Sequence, residues 1–330
     1  MNAHFFSSLL LLVFCLPVMA VSKKNTDEKK LLSHHSLHFQ ERRDIDSFWK
    51  KTKEELALVP VNAKVESIKE AIPYRKFFIT VHSLGDVEVA AFLSLPVQGE
   101  GGAKPWPVIV TTPGYGGDQQ GVMLSECQRG YAILQVFPRG QGESAKYFKL
   151  SGDKLTSKLD APEGAYYQGA YADVMRMIDY IVTRSDIDSN RIAMVGTSQG
   201  GGISLAVASL DKRIKAVVAH VPFLCNFRLA ASVNKSLVKT LLDRAKANTE
   251  TSLQTLDYFD PLQLVTNLKV PVLMSAGGRD ETCPAQTIQS VYDKIHARKK
   301  LKFYPELTHT SSVDFYNQTW SWLEKKFRKH

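Results

Sequence analysis

Ser198 lies in Gly196-Thr197-Ser198-Gln199-Gly200, a hydroxyl with glycine two residues before and two after it. Alone the pattern says little; its setting says more. The apolar run Ile192–Val195 precedes it and the helical pattern Gly201–Leu210 follows. A strand, a sharp turn and a helix would present the hydroxyl above the carboxyl ends of a sheet, beside a helix N-terminus. The competing reading is a glycine-rich turn with a capping serine. Gly200-Gly201-Gly202, however, would weaken a helix start that had only a structural role.

A serine hydroxyl needs a base, and nine histidines are available. His4, His34, His35 and His38 fall in the first forty residues, His82 near a turn, His296 at a helix end and His330 at the terminus. Only His220 and His309 follow strands on the sheet edge of Ser198. The order nucleophile, acid, base, with histidine after the last strand, selects His309. His220 then reads as a packing or supporting residue. Asp280 follows the strand Val270–Ala276 and can reach the far nitrogen of His309, fixing its tautomer. It can also cap the helix after Pro284. Asp257 and Asp260 are further acids, both within an insertion. The tetrahedral oxyanion of acyl transfer needs waiting N–H groups. One should come from Gln199, the other from Pro113-Gly114-Tyr115-Gly116-Gly117 after the strand Val108–Thr112, with Tyr115 as donor and its ring as a wall of the acyl pocket.

The elements that must position these groups alternate. Two β-rich runs, Lys76–Val81 and Val87–Leu95, flank a turn at Gly85-Asp86. Strands then read at Val108–Thr112, Tyr131–Phe137, Ile192–Val195, Ile214–Ala219, Val270–Ala276 and Leu301–Tyr304. Helical patterns cover a short stretch from Asp46, then 118–129, 166–183, 201–210, 285–297 and 312–328. Buried apolar strands alternating with helices give an α/β fold, a mostly parallel sheet with helices on both faces and an antiparallel N-terminal edge. Residues 222–268 lack strand character and read as a helical insertion over the site.

The bulk numbers fit an ordinary globular domain: 330 residues, 44% hydrophobic and 23% charged. The apolar run Phe5 to Val18 with Val18-Met19-Ala20 reads as a secretory signal cleaved near Ala20, too short for a membrane span. Residues 21–40 read as a polar linker and 41–330 as the folded domain, in an exported, periplasmic or secreted protein. The formal charge of +9 comes without a basic stripe of interleaved aromatics, so nucleic acid is not an expected partner. Cys127, Cys225 and Cys283 remain after signal removal. They read as buried thiols, and no spacing suggests zinc.

Several motifs coincide: Arg139-Gly140-Gln141-Gly142, Gly196-Thr197-Ser198-Gln199-Gly200-Gly201-Gly202 and Val221-Pro222-Phe223-Leu224-Cys225-Asn226-Phe227. Tyr258-Phe259-Asp260, Val270-Pro271-Val272-Leu273-Met274-Ser275 and Asp280 with Cys283-Pro284 join them. From about Asp44 onward the chain resembles the acetyl xylan esterase and cephalosporin-C deacetylase family, carbohydrate esterase family seven. The resemblance implies an α/β-hydrolase without metal or other cofactor, removing acetyl groups from small acetylated sugars and other small acetates. It carries the nucleophile, acid and base to Ser198, Asp280 and His309, and the oxyanion donors to the backbone of Tyr115 and Gln199. Arg139 and Gln141 match the family's Arg-Gly-Gln and read as braces, as Gly196 and Gly200 do for the turn. Thr310, Pro113 and His220 depart from the family's usual Glu, His and Asp. The resemblance also implies a homo-oligomer, a hexamer in the family, although residues 143–164 are shorter than the hairpin that makes its subunit contacts. A peptidase of the same fold could use the same three residues. A carbohydrate-binding protein on a hydrolase scaffold would have no need of them.

Overall fold

The computed structural model describes residues 41–69, 74–97, 104–117 and 124–327; the expected signal and linker lie outside these. The chain forms α1 (Ile45–Leu58), β1 (Lys64–Ile68), β2 (Arg75–Ser83), β3 (Val87–Leu95), β4 (Trp106–Thr111), α2 (Leu124–Cys127), β5 (Ala132–Phe137) and α3 (Tyr166–Ile181). It continues with β6 (Ile187–Thr197), α4 (Gln199–Leu210), β7 (Ile214–His220), then α5 (Phe227–Ser232), α6 (Leu237–Arg244), α7 (Glu250–Asp257) and α8 (Pro261–Leu264). It ends with β8 (Val272–Gly277), α9 (Ala285–Lys294), β9 (Lys299–Tyr304) and α10 (Val313–Phe327).

Among the described residues the strands form one nine-stranded sheet in the order β1-β2-β3-β5-β4-β6-β7-β8-β9. The strands β4 to β9 run parallel to one another, while β1, β2, β3 and β5 pair antiparallel in succession. The interior strands β4, β5 and β8 are buried at every position, because helices cover both faces; this is why they read as mostly apolar runs, broken only by Thr111, Gln135 and Ser275. The larger core holds α1, α3 and α4 against one face, with Trp49, Tyr171 and Phe259 fully buried. Phe315, Trp320 and Leu323 of α10 pack on Ile109, Ile133 and Val218 of the other.

Three differences from the sequence expectation have physical causes. The strand β1 was not expected: its residues are almost all exposed, so it is held by backbone pairing with β2 and carries no apolar alternation. The strand β6 starts at Ile187, five residues before the expected Ile192, because the polar stretch Asp188 to Arg191 enters the sheet through a register shift. Of the expected helix 118–129, residues 118–123 lie outside the described residues, Leu124–Cys127 are helical, and residues 128–129 already belong to a turn closing at Gly130, whose φ is +82°.

Candidate active site

The turn between β6 and α4 puts Ser198 at φ 55° and ψ −120°, a region that costs a non-glycine residue about 1–3 kcal/mol. Its surroundings hold it there. The Ser198 N–H donates to the His220 carbonyl at 2.9 Å, and its own carbonyl accepts from Phe223 N–H at 2.9 Å and Gly202 N–H at 3.1 Å. Steric room explains the flanking glycines. A Cβ on Gly196 would fall 2.2 Å from the Gly200 carbonyl carbon, and one on Gly200 would fall 2.4 Å from the Thr112 oxygen. Neither backbone can yield without opening the turn.

Three side chains far apart in sequence meet at this turn. His309 Nε2 lies 2.9 Å from Ser198 Oγ, and its Nδ1 lies 2.8 Å from Asp280 Oδ2. The other Asp280 oxygen accepts from the Cys283 N–H at 2.8 Å. The Asp280 carboxylate is fully buried and the imidazole a quarter exposed. Two loops hold this relation: Gly278 and Arg279 donate their N–H groups to the carbonyls of Tyr304 and Leu307, tying the segment after β8 to the segment after β9. Asp280 does not cap α9, whose N-cap is Pro284. The other acids are committed elsewhere. Asp257 pairs with Arg228, and Asp260 accepts from the N–H groups of Asn226, Phe227 and Leu262. Neither hydrogen-bonds His309.

Gln199 follows Ser198 at the first turn of α4, and Tyr115 sits on the loop after β4. Among the described residues, neither backbone N–H donates to another protein group. A side-chain network ties the two segments together. Gln199 Nε2 donates to Gln141 Oε1 at 2.7 Å and to the Pro113 carbonyl at 3.3 Å. Gln141 Nε2 donates to the Gly114 carbonyl at 3.1 Å. The hydroxyls of Tyr166 and Tyr167, from the start of α3, donate to Gln141 Oε1 and Gln199 Oε1. Sequence reasoning did not find these two tyrosines. The Tyr115 ring meets the Phe223 ring edge-on at 5.5 Å, and its hydroxyl accepts from Leu155 N–H at 3.0 Å. Burial pushes the Tyr115 phenol above its ordinary value. Replacing Gln141 with alanine should loosen the Gly114 carbonyl and shift Tyr115. We expect kcat for p-nitrophenyl acetate to fall about tenfold to a hundredfold while KM changes little; an unchanged kcat would show that the brace is dispensable.

With this geometry in place, the comparison with known proteins is direct. The acetyl xylan esterase (AXE1) family profile matches residues 29–326. The chain belongs to the acetyl xylan esterase family. It is a carboxylic ester hydrolase with an α/β-hydrolase fold. An acetyl esterase of Xylanibacter ruminicola is 25% identical over 307 residues, 87% of this chain and 67% of that protein. An uncharacterized peptidase of Bacillus subtilis is 23% identical, covering 86% of this chain and 44% of its own length. The structure of an acetyl xylan esterase from Paenibacillus sp. R4 superposes with a TM-score of 0.81 at 25% identity, covering 90% of this chain and 99% of that one.

Two further positions of this acetyl xylan esterase family member are explained by their contacts. Arg139 is buried and forks onto Asp173 of α3 at 2.7 and 3.0 Å, while donating to the Leu84 carbonyl. It therefore fixes the loop after β5 to α3 and the β2–β3 turn. Of the Arg-Gly-Gln residues, only Gln141 reaches the turn that carries Ser198. His220, the last residue of β7, packs edge-on against Phe315 at 4.4 Å and shares a 3.3 Å contact with Thr319 Oγ1, while its Nδ1 is unpartnered. Its role is in the packing behind the turn. Burial lowers its pKa from 6.5 to about 4.

That shift has a sign. The unfolded chain binds a proton at His220 below 6.5, and the folded one does so only near 4. Stability is therefore lost as pH falls through this window, by roughly 3 kcal/mol at its lower end. Urea unfolding of wild type and His220→Gln across the window should show the steeper acid loss in wild type; parallel curves would refute the assignment. Among the described residues, no helix is long and apolar enough to cross a membrane, and Cys127, Cys225 and Cys283 are buried free thiols.

Proposed function

We propose that this esterase removes acetyl groups from small acetylated carbohydrates through an acyl-enzyme on Ser198. The observation that carries the reading is the continuous relay from Ser198 Oγ through His309 to Asp280, at 2.9 and 2.8 Å. His309 takes the hydroxyl proton as Ser198 attacks the ester carbonyl. The N–H groups of Tyr115 and Gln199 receive the oxyanion. His309 protonates the departing sugar hydroxyl, and water then releases acetate by the same steps in reverse. Asp280 keeps the imidazole oriented and stabilises its charged form. In this reading the Tyr115 and Phe223 rings, 5.5 Å apart, wall the acyl side and favour a short acyl group.

The test compares substrates. Acetylated xylo-oligosaccharides should release acetate, and p-nitrophenyl acetate should exceed p-nitrophenyl butyrate by at least about tenfold in kcat/KM. Preference for butyrate, or faster cleavage of aminoacyl amides, would sink the acetyl reading and favour a longer-chain esterase or a peptidase. We further propose that the enzyme acts outside the cytoplasmic membrane, on the strength of the apolar segment before Ala20. N-terminal sequencing of the exported protein should begin near Val21; retention of the intact N-terminus would overturn this.

A further inference from the structure

Cys283 has no step in the hydrolysis above, yet it is buried against the groups that perform it. Its N–H holds one oxygen of Asp280, and its thiol is buried and free. The Cys283 sulfur, a carboxylate oxygen of Asp280 and a ring nitrogen of His309 all lie within 4.8 Å of one another. Among the described residues no other three His, Cys, Asp or Glu side chains gather in this way. Cys283 and Asp280 come from one turn, while His309 arrives from the next loop. No Cys or His spacing in the sequence therefore announces the cluster.

The donor set is specific in its chemistry. Thiolate, imidazole and carboxylate together suit zinc and its borderline-soft neighbours. Magnesium and calcium prefer oxygen alone and gain nothing from the sulfur. Tetrahedral zinc with bonds of about 2.0–2.3 Å needs ligand atoms about 3.5 Å apart, so closure requires a movement of about 1 Å. Asp280 is fixed by its turn and fully buried. His309 sits on the loop between β9 and α10 with a quarter of its side chain exposed, so the imidazole is the ligand able to move. Water or the Ser198 hydroxyl would complete the coordination.

We propose that the active site of this esterase doubles as an inhibitory zinc site, with Cys283, Asp280 and His309 as ligands. On binding, the Cys283 S–H bond breaks, its proton passes to solvent and a zinc–sulfur bond forms, with no change of oxidation state. Drawing His309 and Asp280 onto the metal dismantles the relay to Ser198, so zinc binding and hydrolysis exclude each other.

The inhibitory effect rests on the proposed triad, whereas binding of the ion does not, so the test has two arms. In the first, cobalt(II) chloride is titrated into Ser198→Ala protein, which needs no activity. A thiolate-to-cobalt charge-transfer band is expected, and it should be missing when Cys283→Ser is added. In the second, zinc chloride is titrated into the active enzyme during p-nitrophenyl acetate hydrolysis. Inhibition should be reversed by a chelator, should not be reproduced by magnesium, and should require at least about tenfold more zinc in Cys283→Ser. Lack of the cobalt band, or equal zinc sensitivity in the two proteins, overturns the site. A cobalt band together with undiminished activity in zinc overturns the inhibitory role, and the triad reading with it.

Discussion

Ser198→Ala protein is expected to fold as wild type does and to lose roughly a millionfold in kcat toward p-nitrophenyl acetate. The size follows from the role proposed for the hydroxyl. Without it no acyl-enzyme forms, and what remains is attack by water on an ester held near two N–H groups, which is worth only about 10^3–10^4 over solution. The fold should survive because the hydrogen bonds that fix the turn come from the Ser198 peptide and not from its hydroxyl: N–H to His220, carbonyl to Phe223 and Gly202. Alanine also tolerates the turn no worse than serine does, since both carry a Cβ at φ 55°. Steady-state kinetics with urea unfolding on the same preparation checks both halves. Labelling with a fluorophosphonate gives an independent readout, expected on Ser198 in wild type and absent in the variant. Residual activity within a hundredfold of wild type, on protein free of contaminating esterase, would reject Ser198 as nucleophile.

The parts of this site that could be read in the sequence are those set by local sterics or by burial. Gly196 is legible because a Cβ there would meet the backbone of Gly200 and Gly201, a constraint that acts within five residues, whereas the room at Gly200 is taken by the distant Thr112 carbonyl. The strands β4, β5 and β8 are legible because complete burial writes mostly apolar runs. The order of Ser198, Asp280 and His309 along the chain follows from where each strand ends. The rest depends on partners distant in sequence. Tyr166 and Tyr167 open a helix in an ordinary way, and nothing nearby says that their hydroxyls meet Gln141 and Gln199. Arg139 and Gln141 are two residues apart, yet one turns to Asp173 and the other to Gly114; the motif marks both without separating their roles. The strand β1 was silent for the opposite reason, because an exposed edge bonded through its backbone puts no pattern on its side chains.

Asp280→Asn should be the most revealing single-atom change, lowering kcat about 10^4-fold with little effect on KM. The carboxylate now accepts on both oxygens, from His309 Nδ1–H and from the Cys283 N–H at 2.8 Å. An amide supplies one acceptor and one donor. With its oxygen kept on Cys283, its NH2 faces Nδ1 and forces the proton onto Nε2. That nitrogen then points an N–H at Ser198 Oγ and cannot take its proton. With the amide flipped, His309 keeps its tautomer, but a buried NH2 meets the Cys283 N–H, donor against donor, and the turn carrying the acid pays roughly 1–3 kcal/mol. The first arrangement breaks the relay and the second loads the turn that carries residue 280, while the pocket keeps its shape in both. Asp260→Asn is the control: the same atom is exchanged in a carboxylate that receives Asn226, Phe227 and Leu262 N–H groups and not His309. It should lower the urea midpoint and leave kcat of the folded fraction within about a few-fold of wild type. If instead the Asp280 variant retains kcat within tenfold of wild type, the histidine does not need this carboxylate, and the acid of the triad must be sought elsewhere.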